Sequence, residues 1–74
     1  MNQFTLIIDS IYMKFMFLTK GDFEVAVNKD AVAYVSKSGD GTRLFLRSVD
    51  KEGKLIHFCV KEAYDDVVAM LNAE

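Results

Sequence analysis

The chain has 74 residues, and a domain of this size buries only about 60% of the surface that its unfolded chain exposes. Its composition, 51% hydrophobic and 12% aromatic with no proline, excludes a disordered protein. A formal net charge of −2 excludes attraction to nucleic acid by total charge, although a local basic patch is compatible with it. The sequence predicts one compact domain over residues 1–74.

The apolar N-terminal stretch from Phe4 to Leu18 does not satisfy the requirements of a membrane segment. Asp9 and Lys14 interrupt it well short of the roughly 20 apolar residues that a spanning helix needs. It also lacks the preceding positive charge and the small-residue cleavage site of a signal peptide. We therefore expect residues 1–12 to be an N-terminal extension of the fold, and no membrane partner.

Residues 1–12 are compatible with two kinds of secondary structure. The apolar residues with helical spacing are Phe4, Ile7, Ile8 and Ile11, and those that alternate as in a strand are Phe4, Leu6 and Ile8. Helix is the preferred interpretation, and an extra strand is the alternative.

Short apolar or alternating segments, separated by turn-like sequences, follow the extension. The predicted strands are Met13–Thr19, Phe23–Val27, Val32–Lys37, Arg43–Val49 and Leu55–Val60. Because only short turns join them, an antiparallel β-meander over residues 13–60 is the simplest arrangement.

The hydrophobic period changes after the last predicted strand. The residues of the new apolar stripe are Tyr64, Val67, Val68 and Leu71, at i, i+3, i+4 and i+7. This stripe predicts a C-terminal helix over residues 62–72, and Glu62, Asp65 and Asp66 lie near its start, where the helix dipole favours acids. The predicted fold class is α+β, with this helix packed on one face of the sheet.

Two hairpin turns determine the predicted register. In the first, the Asp-Gly pair at 40–41 forms the centre of a type I′ turn, which requires positive φ at both residues and places Val35 opposite Leu46. In the second, residues 51–53 form a three-residue loop with its glycine in the left-handed conformation, which places Leu46 opposite Phe58.

This register sorts the strand residues onto two faces. The face assigned to the helix contains Ala33, Val35, Leu44, Leu46, Ile56, Phe58 and Val60. The reverse face contains Val32, Tyr34, Arg43, Phe45, Arg47, Val49, His57 and Cys59. The reverse face is more apolar than a solvated sheet surface, so we expect residues 1–12, a second copy or a partner to cover it.

The segments "VNKDAVAYV", "GDGTRLFL" and "VKEAYDDVVAML" together resemble the small flagellar FlbD-like proteins and a wider set of uncharacterised short bacterial and phage proteins. The resemblance covers roughly residues 13–71. It implies a compact sheet followed by a C-terminal helix, no enzymatic activity and an accessory role, with no functional residues to transfer.

Catalytic and metal chemistry have little support in the sequence. His57 and Cys59 lie two apart on one strand face, but no third orienting group accompanies them as a nucleophile pair. His57 and Cys59 would supply only two metal ligands, whereas a structural zinc site needs four. We therefore expect no enzyme, no cofactor and no metal. Because Cys59 is the single cysteine, no intramolecular disulfide is possible and a cytoplasmic location is expected.

The sequence predicts a small non-catalytic protein-interaction or oligomerisation module. Its interaction face consists of Val32, Tyr34, Arg43, Phe45, Arg47, His57 and Cys59. The expected partners are a second copy, most simply in a homodimer, or an unidentified protein. The alternative is a nucleic-acid-binding module that uses Arg43, Phe45 and Arg47, which is possible but disfavoured by the net charge.

Overall fold

The structure, a computed structural model, describes residues 14–73. Its elements in chain order are β1 (Phe15–Lys20), β2 (Phe23–Asn28), a 3₁₀ turn (Lys29–Ala31), β3 (Val32–Ser38), β4 (Gly41–Val49), β5 (Leu55–Val60) and α1 (Tyr64–Asn72). The predicted α+β fold, with five antiparallel strands before a C-terminal helix, is confirmed. The predicted helix or extra strand in residues 1–12 lies outside the described residues, as does Met13.

The five strands divide between two antiparallel sheets, β1–β2 and β3–β4–β5. The 3₁₀ turn separates them, because the Asn28 side chain accepts a hydrogen bond from the Asp30 N–H at 2.8 Å and caps this turn. β2 and β3 therefore do not form a hairpin. The 3₁₀ turn connects β2 of the smaller sheet to β3 of the larger one.

One apolar core lies between the two sheets and the helix. Its buried hydrophobic residues are Met16, Leu18, Val27, Val32, Leu44, Val60 and Val67. Val67 of α1 therefore packs with Leu44 and Val60 of the larger sheet, on the predicted face. Ile56, which strand alternation places on this same face, is 41% exposed and does not belong to the core.

The turn between β3 and β4 differs from the predicted one. Ser38 pairs with Gly41, so the central residues are Gly39 and Asp40, and the positive φ of 57° belongs to Gly39. The predicted type I′ turn, with positive φ at Asp40 and at Gly41, is therefore wrong. Val35 consequently lies opposite Leu44, two residues from the predicted partner.

The loop between β4 and β5 agrees with the prediction at its tip. The Gly53 N–H donates to the Asp50 carbonyl at 3.1 Å, and Gly53 has a left-handed φ of 83°. The Asp50 N–H also donates to the Lys54 carbonyl at 2.8 Å, so residues 51–53 form the three-residue loop.

An irregularity in β4 then changes the register of the second hairpin. Between Phe45 and Val49, β4 contains two more residues than the facing part of β5. On the side of this irregularity away from the loop, Leu44 lies opposite Phe58. The sequence predicts Leu46 as the partner of Phe58. Leu44, which is fully buried, therefore occupies the centre of the larger sheet.

The sequence predicts that Val32 lies on the interaction face, and this prediction is wrong, because Val32 belongs to the core. It pairs with Leu46, whereas Tyr34 pairs with Phe45, so Ala33 is an extra residue in a β-bulge. One extra residue reverses the alternation of side chains, and this directs Val32 into the core, where it is 7% exposed.

Glu62 connects β1 to the segment that follows β5. Its carboxylate accepts hydrogen bonds from the Thr19 N–H at 2.8 Å and from the Thr19 hydroxyl at 2.9 Å, and the Lys61 N–H donates to the Thr19 carbonyl at 2.8 Å. The buried hydroxyl of Thr42 donates to the Glu62 carbonyl at 2.8 Å. Helix α1 begins at Tyr64, so Glu62 lies outside it and links the two sheets instead of lining the first turn.

The hydrogen bonds between Thr19 and Glu62 should make the stability of the fold depend on pH in the acidic range. Burial raises the pKa of the Glu62 carboxyl, but the Thr19 donors and the Lys61 charge together outweigh burial and hold the pKa below its usual value of 4.5. Because the folded-state pKa is the lower one, the stabilisation is complete above pH 4.5 and disappears as the pH falls through the folded-state pKa.

We expect Glu62→Gln to lower the free energy of unfolding by about 0.5–1 kcal/mol at neutral pH, since it removes the negative charge that strengthens both hydrogen bonds from Thr19. The difference from wild type should shrink when urea unfolding is repeated at decreasing pH below 4.5. Glu24→Gln, the same change on an exposed residue of β2, is the control. An equal loss in both variants, or a difference independent of pH, would contradict the link.

Candidate interaction surface

The side of the larger sheet that faces away from the core brings together most of the predicted interaction residues. Tyr34 pairs with Phe45 and Phe45 pairs with His57, which places three rings in one row across β3, β4 and β5. The next row along β4 pairs Arg43 with Cys59. We call these five residues the aromatic face.

The three rings of the aromatic face contact one another across the strands. The Tyr34 and Phe45 centroids are 4.3 Å apart with an interplanar angle of 13°, and the Phe45 and His57 centroids are 5.1 Å apart with an angle of 38°. Tyr34 and Phe45 are therefore stacked face to face, whereas the His57 ring is tilted against Phe45. Phe45 lies between the other two rings on the central strand, whereas Tyr34 lies on an edge strand and is 52% exposed.

Arg43 and His57 form a polar pair beside the row of rings. The Arg43 Nη1 atom lies 2.9 Å from His57 Nδ1. A guanidinium group only donates hydrogen bonds, so Nδ1 accepts and the imidazole proton lies on Nε2. Cys59 has a different neighbour, since its Sγ lies 3.5 Å from the Ser38 hydroxyl oxygen. His57 and Cys59 thus interact with different side chains, and neither is the hydrogen-bond partner of the other.

The Arg47 side chain bonds to the 3₁₀ turn and not to the residues of the aromatic face. Its Nε donates to the Asp30 carbonyl at 2.9 Å, which ties β4 to the 3₁₀ turn. The surface is extended instead by Val49, which is 55% exposed, and by its partner Leu55. The alternation of Leu55 with His57 and Cys59 is the sequence signal that identifies this addition to the predicted site.

The charge of the larger sheet has one sign. Its three strands contain Lys37, Arg43 and Arg47 and no aspartate or glutamate. The chain as a whole has 11 acidic residues against nine lysines and arginines. Lys37 lies near the helix, with its Nζ 5.8 Å from the centre of the Tyr64 ring, whereas Arg43 belongs to the aromatic face.

Other candidate sites are weaker. Within residues 14–73 no three His, Cys, Asp or Glu side chains are grouped so as to hold a metal ion. A cavity of about 300 Å³ lies between β1 and the end of α1, and one of about 230 Å³ lies beside the β3–β4 turn. Neither is lined by a residue of the aromatic face. Across the described part of the chain, no helix is long enough to cross a membrane.

Fold and surface together define a class: a small α+β protein with an exposed aromatic and basic sheet face. No protein-family model matches the chain, and comparisons with curated proteins and with solved structures give no match either. The resemblance to the FlbD-like proteins stays a hypothesis.

Proposed function

We propose that the protein is a small non-catalytic interaction module that binds another protein through the aromatic face. The observation that carries this proposal is the row of Tyr34, Phe45 and His57 across three strands on the side away from the core. Aromatic residues and arginine are the types enriched in the buried centres of protein interfaces. Rings held by their neighbours also lose little conformational entropy when a partner packs on them.

Two kinds of protein partner are compatible with this surface. The sequence predicts the simplest one, a second copy in a homodimer, and an unrelated protein is the other. The exposed free thiol of Cys59 is suited to a reducing compartment, and we propose that the protein acts in the cytoplasm. An accessory role of the kind implied by the FlbD-like resemblance is part of the same hypothesis.

The second candidate function is nucleic-acid binding through Arg43, Phe45 and Arg47. It is supported by the absence of acidic residues in the three strands. The net charge of −2 disfavours it, and the face of Phe45 that is stacked against Tyr34 is not free to stack a base. Titration of a fluorescent oligothymidylate at increasing salt tests it, since phosphate contacts weaken steeply with salt.

We expect Phe45→Glu to abolish binding through the aromatic face and to leave the fold intact, because it places a charge among the rings and outside the core. Phe23→Glu is the matched control, since Phe23 is 74% exposed and belongs to the smaller sheet. Sedimentation at micromolar concentration measures self-association, and retention of host proteins on the immobilised chain measures binding to other proteins. Circular dichroism verifies the fold of each variant.

The expected result is that wild type and Phe23→Glu associate alike, with themselves or with retained proteins, and that Phe45→Glu does not. A monomeric wild type that retains no protein would contradict the proposal. Equal association of wild type and Phe45→Glu would contradict the assignment of this face.

A further inference from the structure

The charges of the larger sheet distinguish between the two kinds of protein partner. The aromatic face carries Arg43 and no carboxylate, although acidic residues outnumber basic ones in the chain. A surface whose charge is opposite in sign to that of the whole molecule is suited to a partner of complementary charge.

Arg43 is held in position for such a partner. It lies on the central strand of the sheet and is half-buried, and its Nη1 is fixed by the hydrogen bond to His57. Within residues 14–73 no carboxylate lies within ion-pair distance of it, and His57 is its single side-chain hydrogen-bond partner. A guanidinium has five N–H donors, so several remain for a planar acceptor such as a carboxylate.

A second copy is a poor occupant of this surface by the same reasoning. In a dimer with two-fold symmetry, the face would meet an identical face that also has no carboxylate. Arg43 would then lose water without gaining an opposite charge, which is unfavourable. An acidic segment of a different protein supplies the opposite charge that a second aromatic face lacks.

We infer that the aromatic face binds an acidic segment of another protein, with a carboxylate paired to Arg43 and an apolar side chain against the exposed Tyr34 ring and its neighbour Phe45. The inference rests on the proposed function and names the chemistry of its partner. The rings provide apolar contact, and Arg43 provides selectivity for acidic over neutral sequences.

The test uses the 74-residue chain and three fluorescein-labelled peptides measured by fluorescence polarisation. The first alternates aspartate and leucine, the second has asparagine in place of each aspartate, and the third has serine in place of each leucine. We expect the first peptide to bind at least about tenfold more tightly than either of the others.

Protein variants identify the residue responsible for selectivity. Arg43→Gln should weaken binding of the first peptide about tenfold and remove its advantage over the asparagine peptide. Lys37→Gln, the same loss of charge on the helix side of the sheet, should leave binding of the first peptide within about twofold of wild type.

Several results would overturn the inference. Absence of measurable binding by the first peptide would do so, as would an advantage that persists in Arg43→Gln. If all three peptides bind equally and Phe45→Glu abolishes binding, the acidic partner is wrong while the interaction face stands. If the chain forms a dimer that requires Phe45 and excludes the first peptide, the second copy is the occupant and the inference fails.

Discussion

Replacing Leu44 by alanine should lower the free energy of unfolding by about 3–5 kcal/mol, the upper part of the range for a leucine truncated in a core. Leu44 is fully buried on the central strand, where it lies opposite Val35 and Phe58 and packs in one cluster with Val67 of the helix. A domain of this length has only about 4–11 kcal/mol of stability, so the variant should be close to unfolded at room temperature.

Leu46→Ala is the matched control for this prediction. Leu46 is only partly buried and lies at the bulge beside Val32, so we expect it to lose about half as much stability or less. Urea midpoints at constant slope measure both changes. In the register predicted from the sequence, Leu46 occupies the central position instead. A larger loss at Leu46 than at Leu44 would therefore support that register and contradict the observed one.

The second large effect is expected at Gly41, which approaches the end of β5 more closely than any side chain allows. A Cβ atom on Gly41 would fall on the carbonyl oxygen of Val60, a backbone atom that cannot rotate away. We expect Gly41→Ala to lower the free energy of unfolding by about 3 kcal/mol or more, because β4 and β5 have to separate locally to accept the methyl group.

Gly39→Asn is the control for Gly41→Ala. Gly39 has a φ of 57°, and a Cβ added there meets nothing within 4 Å. Asparagine tolerates the left-handed region, so the loss should stay within about 1 kcal/mol. Chemical denaturation of both variants is the measurement. A larger loss at Gly39 than at Gly41 would show that the turn, and not the close approach of β4 to β5, is the sensitive feature.

The sequence identifies the face of most strand residues correctly even though it identifies their partners incorrectly. Side chains alternate with a period of two along a strand, and both predicted hairpins differ from the observed ones by an even number of residues. Arg43, Phe45, His57 and Cys59 consequently stay on one side in either register. Val32 is lost from the predicted face because the bulge at Ala33 adds a single residue, which reverses the alternation.

The sequence by itself determined the fold class, the five strands within residues 14–60, the C-terminal helix and a reverse face rich in rings, because these follow from hydrophobic period and turn residues. Only the tertiary structure decided the division into two sheets and the link between Thr19 and Glu62, which are 43 residues apart. It also decided the face-to-face stacking of Tyr34 on Phe45 and the pairing of Arg43 with His57. Contacts of this kind depend on bulges and close approaches between distant segments, for which a single sequence has no local signal.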